Sequence, residues 1–260
     1  MDKINKKLEE LYLRLGVYKE PLHSKCVNSD SCWNGVDENR ICNDGEELAQ
    51  LYKPYIGKDY QQGKILAIGI NMHEYGGYNA EVELAEIASR EIKQGKKRTF
   101  AKPGYQGSLV WHRLVSYASF ILRETRLIDT PKNRPYPNKE ELSKAFDYIA
   151  VTNSIKCCPW GERSKPTNAM WKCCPDYILK EEIRLLKPKH IIVLGLDNYN
   201  RVKDLFNNLI EQNGNETKLV KANFESEEIF IYAFPHPASS QGTSMVRMDE
   251  LESLLIDEYK

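Results

Sequence analysis

The chain has 260 residues, 41% of them hydrophobic, which suits one large α/β domain of residues 1–260. Its 37 basic residues balance 37 acidic ones, so bulk charge does not mark a polyanion binder, and no apolar run reaches about eighteen residues, the length that crosses a bilayer. The opening "MDKINKKLEELYLRL" is charged and amphipathic and lacks the apolar core of a secretory signal, so a cytoplasmic protein without membrane contact is expected.

In chain order, the spacing predicts a helix over residues 3–16 ending at Gly16, then a cysteine-bearing loop to about residue 42. Residues 1–60 thus read as a helical and cysteine-bearing extension. "GEELAQLYKPYIG" predicts a short helix, and "KILAIGI" (64–70) is a continuous apolar run of the kind buried on both faces of a parallel sheet. "AEVELAEIASREIKQG" (80–95) has helical spacing closed by Gly95. The basic "KQGKKRTFAK" (93–102) reads as a solvated helix end or a local patch for a polyanion. "GSLVWHRLVSYASFILRET" (107–125) is the most apolar helix, and the proline-rich 129–140 reads as a loop. "DYIAVTNSI" (147–155) is a second strand, "PDYILKEEIRLLKP" (175–188) a helix, and "HIIVLGL" (190–196) a third strand. "YNRVKDLFNNLIEQNG" reads as a helix capped by Gly214, "EIFIYAFPHPASSQG" (228–242) as a fourth strand and its loop, and "MDELESLLIDEYK" as a closing helix. Alternating strands and helices predict a three-layer α/β/α sandwich around a central, mainly parallel four-stranded sheet.

Seven cysteines fall into two groups: Cys26, Cys32 and Cys42, then Cys157, Cys158, Cys173 and Cys174. In a reducing compartment such grouping points to an iron–sulfur cluster, a zinc site or free thiols rather than disulfides. With few histidines nearby, zinc of mixed ligand type is the less natural choice.

Three strands end in polar groups: Asn71 after the first, Asn153 in the second, His236 after the fourth. In a parallel sheet all carboxyl ends share one edge, where ligand crevices form.

These stretches carry a resemblance. "YIAVTNSIKCCPW" followed by "CCPDYILKEEIRLLKPKHIIVLG" is similar to the iron–sulfur branch of the uracil-DNA glycosylase superfamily, and "GINMHEYGG" and "HPASSQG" are similar to that superfamily's two motifs. The resemblance implies a monomeric DNA glycosylase that flips uracil or a modified pyrimidine out of DNA and hydrolyses its N-glycosidic bond. It implies that Asn71 holds the attacking water and that His236 stabilises the departing base's carbonyl oxygen. Asn153 reads the Watson–Crick edge, Phe100 or Tyr105 stacks on the base, and Ile70, His73 and Ser239 line the pocket. Glu74 either helps Asn71 orient the water, pairs with a basic residue beside the phosphates, or is a plain turn carboxylate. A [4Fe–4S] cluster of structural role is implied, with Cys157 and Cys174 as two ligands and Cys42 with Cys26 or Cys32 as the others; Cys158 and Cys173 stand aside.

The chain departs from this family where substrate is set. Met72 and His73 stand where a proline commonly follows, and Ser239, Ser240 and Gln241 replace the apolar residue that wedges into the duplex, with Met245 a substitute. An insertion near residues 80–98 lengthens the approach. Modified pyrimidines, including bulky bases of phage DNA, thereby join uracil as expected substrates. A catalytically lapsed member that binds DNA or a protein partner is the alternative.

Overall fold

The computed structural model describes residues 2–19, 24–28, 31–32, 42–43, 46–47, 52–70, 79–95, 107–127, 136–157, 166–237 and 244–258. Within them, α1 (Asp2–Arg14) leads to two small hairpins, β1 (Val17–Lys19) with β2 (Ser24–Cys26) and β3 (Cys42–Asn43) with β4 (Glu46–Glu47). Then come β5 (Tyr55–Ile56), α2 (Tyr60–Gly63), β6 (Ile65–Gly69), α3 (Ala80–Lys93), α4 (Gly107–Glu124), α5 (Lys139–Tyr148) and β7 (Ile149–Asn153). The second half holds α6 (Asn168–Cys174), α7 (Lys180–Leu186), β8 (His190–Leu194), α8 (Leu196–Val202), β9 (Asn207–Asn213), β10 (Lys218–Phe224), β11 (Glu227–Phe234) and α9 (Ser244–Glu258).

The four strands read from the sequence lie side by side and parallel, in the order β7-β6-β8-β11. The sheet does not stop there. It has seven strands and is mixed, with β5 antiparallel beside β7 and the β10–β9 hairpin antiparallel beside β11, which corrects the four-stranded expectation. Ile65 and Ala67 of β6 face one core with α3, α4, α5 and α9, while Leu66 and Ile68 face a second core with α1, α6, α7 and α8. Successive residues of a strand point to opposite faces, so a strand apolar throughout must be covered on both sides, as these are.

Three local expectations give way. The helix expected over 45–57 is replaced at Glu46–Glu47 and Tyr55–Ile56 by strand, because Pro54 can neither donate the helical hydrogen bond nor fit beneath the preceding turn. The loop expected to residue 140 ends at Asn138, whose side chain accepts from the Glu141 N–H (3.0 Å) while the Glu141 carboxylate accepts from the Asn138 N–H (2.8 Å). This capping box starts α5. The helix expected through Gly214 stops after a short 3₁₀ turn (Lys203–Leu205), and the chain continues as β9. Val202, Phe206 and Ile210 recur at helical spacing, yet Ile210 is 63% exposed while Val202 and Phe206 are buried, and pairing with β10 overrides the local pattern.

Candidate functional site

The carboxyl edge of the parallel strands is tied together by buried polar side chains. Gly69 ends β6 opposite Asn153, which ends β7. Pairing continues past both strands, with Ser154 N–H donating to Gly69 O (2.9 Å) and Ile155 N–H to Ile70 O (2.8 Å). Asn198, fully buried in α8, donates its amide to the carbonyls of Gly69 (3.0 Å), Ile68 (3.3 Å) and Leu194 (3.4 Å), and accepts from the Ser154 hydroxyl (2.7 Å). One side chain thus joins the ends of β6 and β8 to the segment after β7. His236 stands two residues beyond β11, half-buried. Its flanks are fixed: Arg113 of α4 donates to the carbonyl of Pro237, and Phe234 stacks on Tyr117, ring centroids 3.8 Å apart at 5°.

Asn153 is buried, and its amide nitrogen donates to the carboxylate of Glu81 at 3.1 Å. A β-carbon at Gly69 would stand 2.3 Å from the Asn153 amide oxygen, so the glycine makes room for this side chain. Glu81 sits in the first turn of α3, 4% exposed. Burial pushes its pKa up to about 7, although the Asn153 amide and the Lys156 charge work against the rise. At the other end of the sheet, His190 opens β8, with its Nδ1 3.0 Å from the Tyr232 hydroxyl, and burial lowers its pKa to about 4.

These two groups set opposing pH slopes. Folded chain keeps the Glu81 proton up to about 7, whereas unfolded chain releases it near 4.5, so stability falls as pH rises through that window. Unfolded chain protonates His190 near 6.5, which folded chain resists to about 4, so stability falls as pH drops there. Between these limits the contributions cancel. Glu81→Gln leaves His190 acting alone, and the variant's stability should rise with pH where the parent's stays level from this pair. The stability difference between the two should shift by about 3 kcal/mol from acid to neutral pH in the variant's favour. Urea unfolding at a series of pH values measures this, and parallel profiles would contradict it.

A second polar assembly lies on the other face of the sheet. Cys157 and Cys174 are hydrogen-bonded to each other and 5% exposed. Cys32 is hydrogen-bonded to Cys173, and half-buried Cys26 faces both Cys173 and Cys174. The bond to Cys174, with burial, drives the Cys157 thiol well up, and burial pushes Cys32 up to about 12. Cys174 is lowered by that same bond, with help from Lys156. The raised thiols are protonated at neutral pH, and a metal entering here would displace their protons. Among the described residues no three or more His, Cys, Asp or Glu close round a single metal ion; a polynuclear cluster holds its thiolates farther apart than one ion does. Pro175 follows Cys174 and has no N–H to donate, and the helix widens there into a π turn (Pro175–Leu179) between α6 and α7. Thr167 caps α6 by accepting from Met170 N–H (3.1 Å) and also donates to Cys32 O (2.9 Å), which ties the N-terminal segment to this helix.

Beside the thiols is a buried ion pair that sequence reading missed. Lys156 Nζ lies 2.5 Å from Glu182, with side chains 1% and 0% exposed. Glu182 also accepts from Thr152 Oγ1 (2.8 Å) and from the Tyr12 hydroxyl (2.5 Å). Glu81 and Glu182 were both visible in principle. Glu81 shares the buried stripe of Leu84, Ala85, Ala88 and Ile92, and Glu182 that of Ile178, Leu179, Ile183 and Leu186, where a carboxylate needs a partner.

Of the residues expected at the site, Asn153, Ile70 and His236 come to one edge of the sheet, and Cys26, Cys32, Cys157 and Cys174 come to one group with Cys173. Asn71, His73, Glu74, Phe100, Tyr105 and Ser239 lie outside the described residues, as do Met72, Cys158, Ser240, Gln241 and the side chains of Cys42 and Met245. So does most of the basic stretch after Gly95.

The family model described as Uracil DNA glycosylase superfamily matches residues 90–253, well over half of the chain. That span takes in Asn153, Cys157, Cys174, Asn198 and His236, and leaves out β6, Asn71 and the N-terminal cysteines. No curated protein matches the chain.

Proposed function

Since the chain belongs to the uracil-DNA glycosylase superfamily, whose members are typically glycosylases acting on DNA, we propose that it flips uracil or a modified pyrimidine from DNA and hydrolyses the N-glycosidic bond. The observation that carries this reading is the shared edge: Asn153 ends one parallel strand there and His236 follows another, within the matched span. Breaking a glycosidic bond builds positive charge on the sugar and negative charge on the base. A placed water and a hydrogen-bond donor to the base therefore meet most of the demand. In this reading Asn71 holds the water, Asn153 offers its amide to the Watson–Crick edge, and His236 donates to the base's oxygen as charge develops. Phe100 or Tyr105 stacks on the base, and Ile70, His73, Glu74 and Ser239 shape the pocket. Purified protein is expected to leave alkali-labile abasic sites in DNA bearing its base, and none in matched DNA lacking it. The departure at Met72 and His73 favours a second reading, a lapsed member that binds DNA without cleaving it.

We further propose a [4Fe–4S] cluster held by Cys157 and Cys174 with two of Cys26, Cys32 and Cys42. Five thiols gathered among the described residues suit that group, and the adjacent Lys156 charge favours thiolate at Cys174. When bound, the cluster supplies a covalent tie between the N-terminal segment and α6. Protein purified without oxygen is expected to be brown and to absorb near ~400 nm, and Cys157→Ser should lose the colour. Colourless protein with stoichiometric zinc would contradict this assignment.

A further inference from the structure

The geometry points to Glu81 as the residue that sets which pyrimidines Asn153 accepts: by holding the amide nitrogen on its own side, it orients Asn153 to read a 4-keto edge and reject a 4-amino one. This rests on the glycosylase reading above. An asparagine amide has a donor end and an acceptor end, and the two pyrimidine edges differ by reversal of that pattern. A 4-keto base presents N3–H as donor and O4 as acceptor; a 4-amino base presents N3 as acceptor and N4–H as donor. An asparagine free to turn over could serve both.

Here it is held at its nitrogen end. Nδ2 donates to Glu81 at 3.1 Å, and Oδ1 lies over Gly69, where even one added carbon would approach to 2.3 Å. Once Glu81 is ionised, above about pH 7, turning the amide over would bring its oxygen against the Glu81 carboxylate, acceptor against acceptor, in a setting where Glu81 is 4% and Asn153 7% exposed and water cannot substitute. One Nδ2 hydrogen is taken by Glu81, which leaves the second and Oδ1 for the base. Glu81 is thus a positioning residue, acting through Asn153. The helix that carries it, α3, lies in the stretch read from sequence as an insertion, so the chain's added element reaches the reading residue directly.

The test compares excision at about pH 8, where Glu81 is ionised, on matched pairs of oligonucleotides, uracil with cytosine and 5-hydroxymethyluracil with 5-hydroxymethylcytosine. The parent should favour the keto member of each pair. Glu81→Gln, whose amide can accept from Nδ2 or donate to Oδ1, should lose about tenfold or more of that kcat/KM ratio. Glu81→Asp, too short to reach Nδ2, should do likewise. A loss of stability alone lowers both rates and leaves the ratio in place. The side-chain ¹⁵N–¹H signals of Asn153 give an activity-independent readout: slow exchange in the parent, with displaced and faster-exchanging signals in Glu81→Gln. An unchanged ratio overturns the proposal. If the parent excises none of the four bases, the glycosylase reading is what fails, and Asn153 signals unmoved by Glu81→Gln would overturn the lock as well.

Discussion

Lys156→Met is expected to cost about 3–5 kcal/mol of folding stability, because it strands the Glu182 carboxylate without a counter-charge in the core. The two side chains are 1% and 0% exposed, so neither water nor salt can substitute, in contrast with the exposed pairs such as Lys139–Glu140, which contribute little. Thr152 and Tyr12 would remain as neutral donors to the carboxylate, enough to hold its geometry but not its charge. Lys156→Met combined with Glu182→Gln removes both charges, and the new amide can accept from one hydroxyl through its oxygen and donate to the other through its nitrogen, so it should recover most of the loss. Urea unfolding of the parent, the two single variants and the double variant gives the coupling directly. A single-variant loss below about 1 kcal/mol would mean that the pair behaves as a solvated one. The network also joins α1 to β7 and α7, so its loss should loosen the N-terminal helix first.

His236→Ala and Asn71→Ala are each expected to lower the excision kcat by about a hundred- to a thousandfold, with a smaller effect on KM. In the proposed mechanism both act only as the bond breaks: His236 on the charge that develops at the base oxygen, Asn71 on the attacking water. The frame around His236 is already built in the free protein, from the Arg113 bond to the Pro237 carbonyl and the Tyr117–Phe234 stack. A donor held before the substrate arrives need not reorganise during the reaction, which is why its removal falls on kcat. A proportional rise in KM with kcat unchanged would assign these residues to binding instead.

Much of the sheet was legible because β6, β7, β8 and β11 are short apolar runs that must be buried on both faces. The polar residues at their carboxyl ends followed from direction alone: in parallel strands they fall on one edge. The β9–β10 hairpin was not legible, since Val202, Phe206 and Ile210 carry a helical spacing that only pairing with β10 overrides. Pro54 and the Asn138–Glu141 box were readable signals that outweighed the apolar pattern around them. The buried carboxylates were hidden for a different reason. Acidic residues in a helix's first turn are ordinarily credited to its dipole, and both Glu81 and Glu182 occupy that position. Only their place on the buried stripe distinguishes them, and their partners, Asn153 and Lys156, are 72 and 26 residues away. Asn198 is similar: nothing local says that one amide joins three strand ends.

The most direct measurement of the central claim is base excision by the purified parent protein on a panel of oligonucleotides carrying uracil, other deaminated bases and modified pyrimidines. The account predicts alkali-labile cleavage at pyrimidine sites, lost in His236→Ala and Asn71→Ala. Absence of cleavage across the whole panel, together with tight, salt-sensitive DNA binding that Asn71→Ala leaves intact, would contradict it.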